Sequence, residues 1–355
     1  MKIINHKELE NFLEIAYKKS ISSFIWGGIG IGKSYTVDKV GNKIAKELTK
    51  NFKDWNRISD KEKEELLKNE VVEKSFIFGD IRASQIESVD LRGLPIPDKN
   101  NEHIAWKPNL LFRVLSNPKA SGILFFDELG LAPPSVMSSL YQIILDRCIG
   151  ELSFPSSVVP IACSNRIEDR ANIFELPAPL SNRFVHLELG IPSVEDFTNW
   201  GLSNGNDIDS RILGFLNFKP SRIYNFDIKN KDKSFPSPRI WTILSKLIKD
   251  VEDEEILSIL SSSAVGEAVS IEFMAFLKLN QKIDVKELLE NPEKAKEIKE
   301  IDLKYAILST VTEYFKRHRE AKTLTQIIKL CCNIEVEFGV LLMRFIKAVD
   351  NQFFM

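Results

Sequence analysis

Cysteine is scarce in this chain: four residues in 355, at Cys148, Cys163, Cys331 and Cys332. Their spacing fits neither a disulfide framework nor a metal-ligand pattern, which excludes a small disulfide-built secreted fold and favours a reducing compartment. Histidine is equally scarce. His6, His103, His186 and His318 are scattered among unlike contexts, so no histidine-based metal site is expected. No apolar run approaches the ~18 residues of a membrane span. The N-terminal MKIINHKELENFL mixes charges with apolar side chains where a leader would carry an apolar core. A cytoplasmic protein without a membrane segment is the expectation. A surplus of one charge is missing too: 48 Lys+Arg against 50 Asp+Glu leave a net charge of −2. That balance excludes a global electrostatic footprint for nucleic acid or anionic lipid, though not a local basic channel.

What is present is an ordinary globular composition, with 44% hydrophobic and 28% charged residues. The length allows two domains of about 100–200 residues each. Residues 7–19 place Leu9, Phe12, Leu13 and Ala16 on one helical face, and Ser22 to Trp26 follow as a short buried strand. After a glycine cluster, Lys33 to Leu48 carry Val37, Val40, Ile44 and Leu48 on one stripe, completing a strand–loop–helix unit. The doubly charged stretch 49–74 reads as a solvated helical insertion. SFIFGDI (75–81), GILFF (122–126) and VVPIACS (158–164) read as strands. Strands alternating with helices imply a parallel α/β sheet. From Gln85 a helical pattern is interrupted by GLPIPDKNNEHIAWKP, two extended pieces flanking a DKNN turn. Beyond about residue 190 apolar residues recur at helical spacing, in 239–248, 255–262 and 303–315. Asn204 to Lys233 read as a polar, Pro-interrupted stretch, and 291–300 as a charged surface connector.

Gly27-Gly28-Ile29-Gly30-Ile31-Gly32-Lys33-Ser34 matches G-x-x-x-x-G-K-[ST] in full, between a predicted strand and a predicted helix. Glycines let successive N–H groups turn inward around phosphate oxygens, and the helix N-terminus adds its positive dipole. Lys33 reaches the β/γ-phosphates and Ser34 offers a hydroxyl to Mg²⁺; Tyr35 completes the cofactor-binding set. Such a site needs a carboxylate at the end of a neighbouring strand, and ILFFDE supplies Asp127 on the metal side, with Glu128 placed to polarise a water. ATP and Mg²⁺ are the implied cofactors, with Ser34 and Asp127 as metal-side ligands.

FFDELGLAPPSVMSSLYQIILDR resembles the Walker B segment of MoxR-type AAA+ ATPases, in the helix-2-insert branch. PIACSNR is similar to a sensor-1 strand, ELPAPLSNRFVHLEL to an arginine-finger region and FPSPRIW to the start of a sensor-2 helix. The resemblance covers roughly residues 20–250. It implies a P-loop AAA+ parallel sheet sandwiched by helices over 1–188. It also implies an α-helical lid and helical C-terminal region over 189–355, with the insert hairpin at about 92–108. It further assigns catalytic roles to Asn165 as sensor 1, to Arg183 as a finger reaching a neighbouring subunit and to Arg239 as sensor 2, beside Glu128. Arg166 and Arg170 are alternatives for the finger. A trans finger implies a homo-oligomeric ring, expected to be hexameric. The client is expected to be a protein, in some relatives one with a von Willebrand A domain or a metallopeptidase-like fold. Nucleic acid is not favoured, although the same motifs serve DNA-directed replication, restriction or transposition machines. A monomeric P-loop kinase or switch would need neither Arg183 nor Glu128. Trp106 in the hairpin reads as packed rather than exposed, and Cys331 and Cys332 as small apolar packing groups.

Overall fold

A computed structural model of the chain describes residues 1–97, 104–166, 174, 176–203, 205–226 and 233–350. The chain divides into two compact units, Met1–Ile191 and Pro192–Met355.

In the first unit the strands are β1 (Ile3–Ile4), β2 (Ser23–Gly27), β3 (Asn51–Asp54), β4 (Ser75–Arg82), β5 (Leu94–Pro97), β6 (Ile104–Lys107), β7 (Gly122–Asp127), β8 (Cys148–Ile149), β9 (Leu152–Ser153), β10 (Val158–Ser164) and β11 (Val185–Leu189). Seven of them form one sheet in the order β1-β11-β2-β10-β7-β4-β3, every adjacent pair parallel. The helices are α1 (His6–Lys18), α2 (Lys33–Glu47), α3 (Asp60–Glu65), α4 (Asn69–Glu73), α5 (Ser88–Arg92), α6 (Leu110–Leu115), α7 (Pro134–Leu145) and α8 (Ala178–Ser181).

The pleat of β7 shows how the layers arise. Ile123 faces α2, whose Gly41 brings the helix close: a Cβ there would lie 3.2 Å from Phe52 and 3.6 Å from Ile123 and from Phe78. Leu124 and Phe126 point to the other face and join Leu111, Phe112, Met137 and Leu140 of α6 and α7 in a buried cluster. With helices on both faces, the central strands are apolar throughout rather than alternating. The parallel sheet covered by helices is the fold class the sequence implies.

The stretch 49–74 departs from expectation, because it contributes an edge strand as well as the short helices α3 and α4. β3 pairs with β4, and its Phe52 stacks against Phe76 and Phe78 at 6.3 and 6.0 Å. An edge strand needs little covered surface, so one aromatic among charges suffices, and periodicity does not register it. β1 and the β8–β9 hairpin, each strand two residues long, carry no pattern to read.

The second unit is helical: α9 (Val194–Gly201), α10 (Ser210–Phe218), α11 (Pro238–Ile248), α12 (Glu254–Val265), α13 (Glu267–Asn280), α14 (Val285–Glu290), α15 (Ile301–Arg317), α16 (Ala321–Cys331) and α17 (Val336–Val349). Its core gathers Phe215, Trp241, Phe273 and Phe276 with ring centroids 5.3–6.0 Å apart. Phe215 belongs to α10, inside the stretch expected to be polar. Ile212, Leu213, Phe215 and Leu216 are fully buried there. At Gly214 a Cβ would lie 3.3 Å from Ser309 Cβ and from Tyr305 O, so α10 and α15 touch through bare backbone. Cys331 packs beside this core, and burial pushes its thiol up to about 11, but Cys332 is exposed, against the expectation for it.

β5 and β6 form a two-stranded antiparallel hairpin with Pro95 opposite Trp106. Gly93 sits at φ +92°, and a Cβ there would meet Lys107 O at 2.3 Å, so the hairpin's base closes only around glycine. Trp106 is 47% exposed, which corrects the packed reading: among the described residues nothing covers the hairpin, and both its strands are exposed along their length. The turn residues 98–101 and His103 lie outside the described residues.

Candidate functional site

The glycine cluster leaves the end of β2 and enters α2 with Gly32 as N-cap, at φ +98° and ψ 20°. Gly30 also takes positive φ, 71°. Left-handed backbone costs side-chain-bearing residues about 1–2 kcal/mol, and glycine removes that cost at both corners of the loop. Ile31 is buried beneath the loop, while Tyr35, in the first turn of the helix, is 46% exposed. Lys33 is only 8% exposed. Its Nζ donates to Gly27 O at 2.9 Å, Gly28 O at 2.8 Å and Asn165 Oδ1 at 2.8 Å. The ammonium is thereby aimed along the inside of its own loop.

The sheet order places β10 between β2 and β7, and so delivers Asn165 from one strand end to Lys33 of the next. Ser34 Oγ donates to Asp127 Oδ2 at 2.8 Å, joining the two residues expected on the metal side. The other oxygen of Asp127 accepts the Glu128 N–H at 2.9 Å and the Cys163 thiol of β10. Burial pushes that thiol well above its ordinary value, and the carboxylate beside it adds to the effect. The thiol therefore serves as a protonated donor.

Glu128 leaves the sheet in the left-handed region, φ 57° and ψ 35°. Strain of about 1–3 kcal/mol at a residue with a side chain marks positions whose direction matters. Its Oε2 accepts the Ser84 hydroxyl at 2.7 Å. Ser84 follows β4, the strand beside β7. Three residues the sequence reading passed over thus brace this site: Ser84, Cys163 and His6, whose Nε2 bonds to Ile31 O of the loop at 2.8 Å. Lone Ser, Cys and His residues carry no motif, and only the topology shows their neighbours.

The residues fit the implied groups. Positive-φ glycines, a helix N-terminus and a buried ammonium are features that suit a phosphate. A hydroxyl and a carboxylate already in contact are the hard oxygen donors that Mg²⁺ takes, with water and phosphate completing its shell.

Asp80, on β4, lies near Asp127. Burial raises its carboxyl from 3.8 to about 6, helped by the charges of Asp127 and Asp54. The folded value lies above the unfolded one, so folding favours the neutral acid. Its contribution is full below about pH 4 and is lost as pH rises through about 6. Asp80→Asn is therefore expected to melt higher than the parent at pH 8 in EDTA, and at the parent's own temperature at pH 4. Solvent reaches part of the carboxyl, so the gain is about 1 kcal/mol rather than the ~3 of an undiscounted shift. A gain equal at both pH values would contradict this.

The arginines separate clearly. Arg166 pairs with Glu188 of β11 at 2.9 Å within its own chain. Arg183 is exposed in the turn after α8 and makes no ion pair among the described residues. Arg170 lies outside the described residues. Arg239 is the second residue of α11 in the second unit, behind a Ser237 N-cap that accepts the Ile240 N–H.

No family model matches the chain, and no curated protein does. Among solved structures it is similar to the RuvB Holliday junction branch migration motor of Thermotoga maritima. The identity is 17%, over 82% of this chain and 74% of that one, with a TM-score of 0.41. It is similar also to NtrX of Brucella abortus in complex with ADP, at 12% identity over 90% of this chain and 66% of that one, TM-score 0.34.

Proposed function

We propose that the chain is a cytoplasmic Mg²⁺-dependent ATP hydrolase of AAA+, MoxR-like type, which assembles into a ring, taken as hexameric, and uses hydrolysis to remodel or activate a protein partner. One observation carries the nucleotide chemistry. Lys33, Ser34, Asp127 and Asn165, from three separate sequence segments, converge in two hydrogen bonds, Lys33 to Asn165 and Ser34 to Asp127, at the carboxyl ends of adjacent parallel strands. Open parallel sheets bind ligands at that edge.

Lys33 exchanges its loop carbonyls for β/γ-phosphate oxygens, and Asn165, its present partner, becomes available to orient the γ-phosphate or the attacking water. Glu128 takes the proton from that water as its oxygen bonds to the γ-phosphorus and the bond from that phosphorus to the bridging β-phosphate oxygen breaks, releasing ADP. Before it can do so, its carboxylate must share or release the Ser84 hydroxyl. Bound Mg²⁺, held through Ser34 and Asp127, supplies positive charge against the phosphates. Arg183 offsets charge in the site of a neighbouring subunit, and Arg239 contributes from the helical unit. The helical unit acts as lid.

The client reading draws on the exposed hairpin. Leu94, Ile96, Ile104 and Trp106 are between 41% and 64% exposed, an apolar projection suited to a polypeptide rather than to a phosphate backbone. A protein with a von Willebrand A or metallopeptidase-like domain is the candidate partner. The rival DNA-directed reading is separated by salt: binding through phosphate contacts weakens steeply with ionic strength. Little DNA binding and no stimulation of turnover by duplex or single strands are expected at physiological salt. Nanomolar affinity there, or DNA-stimulated hydrolysis, would overturn the protein-client assignment.

A further inference from the structure

His186 of β11 lies where the P-loop strand and the Arg183 turn meet. Trp26, the residue before Gly27 in β2, donates its indole N–H to His186 Nδ1 at 3.0 Å. An indole nitrogen only donates, so Nδ1 is bare and Nε2 carries the ring proton. That proton faces Ser181 O at 2.8 Å, with Ser181 Oγ at 3.1 Å from the same nitrogen. The same carbonyl accepts the Phe184 N–H at 3.2 Å, closing a turn of which Arg183 is a central residue. Rings surround the imidazole: Trp26 lies edge to edge with it, 17° between planes, and Phe24 and Phe184 lie 5.5 and 6.4 Å away.

α8 has four residues, too few to hold its own direction. Arg183 is exposed and has no ion pair among the described residues, so its aim is set by the turn that carries it. We propose that His186 is the positioning residue of that turn, presenting Arg183 to the neighbouring subunit's nucleotide and tying the finger to the P-loop strand of its own subunit. This rests on the trans-finger reading of Arg183. A displacement of about 1 Å in a positioned group can cost about 10²-fold in rate.

The test separates giving a finger from using one. His186→Ala keeps Lys33, Glu128 and Arg183, so its nucleotide affinity, read with a fluorescent ATP analogue, should equal the parent's while its own turnover falls about 10²-fold. Mixed with Lys33→Ala subunits, which supply a well-held Arg183, it should regain turnover. Mixed with Arg183→Ala subunits, which need a finger from it, it should not. His186→Gln offers one acceptor and one donor in place of the imidazole, and should stay within about tenfold of the parent. Loss of nucleotide affinity in His186→Ala, or equal behaviour in both mixtures, would overturn the proposal. If His186→Ala melts below the parent, Trp26→Phe replaces it in the same mixtures. It removes one donor and keeps a ring, and it should show the same asymmetry; symmetric behaviour would again overturn the proposal. Failure of Lys33→Ala and Arg183→Ala subunits to complement one another would instead remove the finger reading, and this proposal with it. Success of that pair alongside a fully competent His186→Ala donor would remove only the role of His186.

Discussion

Arg183→Ala protein is expected to bind Mg–ATP as the parent does and to hydrolyse it slower by about 10³–10⁵-fold, the contribution of a finger of this kind. The expectation follows from placement. Lys33, Ser34, Asp127 and Glu128 lie together within one subunit, whereas Arg183 points from an exposed turn. An active site completed by the neighbour makes specific activity depend on protein concentration, rising as the ring assembles. Mixing Arg183→Ala with Lys33→Ala subunits should restore hydrolysis at interfaces where an intact P-loop meets an intact arginine. Parent-like turnover by Arg183→Ala, or activity flat through dissociation of the ring, would remove the assignment. Arg166 is a poor substitute while it is paired with Glu188, so Arg170 would be the next residue to change.

Lys33→Ala and Glu128→Gln should fail differently. The first removes the buried ammonium that Gly27, Gly28 and Asn165 aim into the loop, and with it tight nucleotide binding. The second keeps the cradle, the metal-side pair and the Ser84 bond to the side chain, but a carboxamide does not accept the water's proton. Binding should stay within about threefold of the parent, and turnover should fall by at least about 10²–10⁴-fold, the usual share of a general base. Equilibrium binding of a fluorescent ATP analogue beside steady-state phosphate release separates the two. Comparable loss of binding in both variants would contradict the roles given to them.

The parallel α/β sheet was legible because buried strands such as GILFF and VVPIACS leave unbroken apolar runs, and because the loop motif sits between a strand and a helix pattern. Of the grouped residues, Lys33 followed from the loop motif, Asp127 from its place at a strand end and Asn165 from the family resemblance. What escaped depended on neighbours distant in sequence. β3 is held by stacking of Phe52 between residues of β4, and α10 is buried by α11, α13 and α15 although polar residues flank it. Trp106 reads as a core residue because a large aromatic side chain usually is one, but it sits on a hairpin whose two strands are exposed along their length. His186 lay within the ELPAPLSNRFVHLEL segment but carried no role there. Its partners Trp26 and Ser181 are 160 and 5 residues away, joined by parallel pairing of β11 with β2.

Phosphate release by the parent protein, followed with saturating ATP across a concentration series in Mg²⁺ and again in EDTA, bears most directly on the central claim. Turnover that requires Mg²⁺, rises with protein concentration and disappears in Lys33→Ala is the expected result. Absence of turnover at concentrations where nucleotide is bound and the ring is assembled, or equal turnover from parent and Lys33→Ala, would contradict an ATP hydrolase built on this loop.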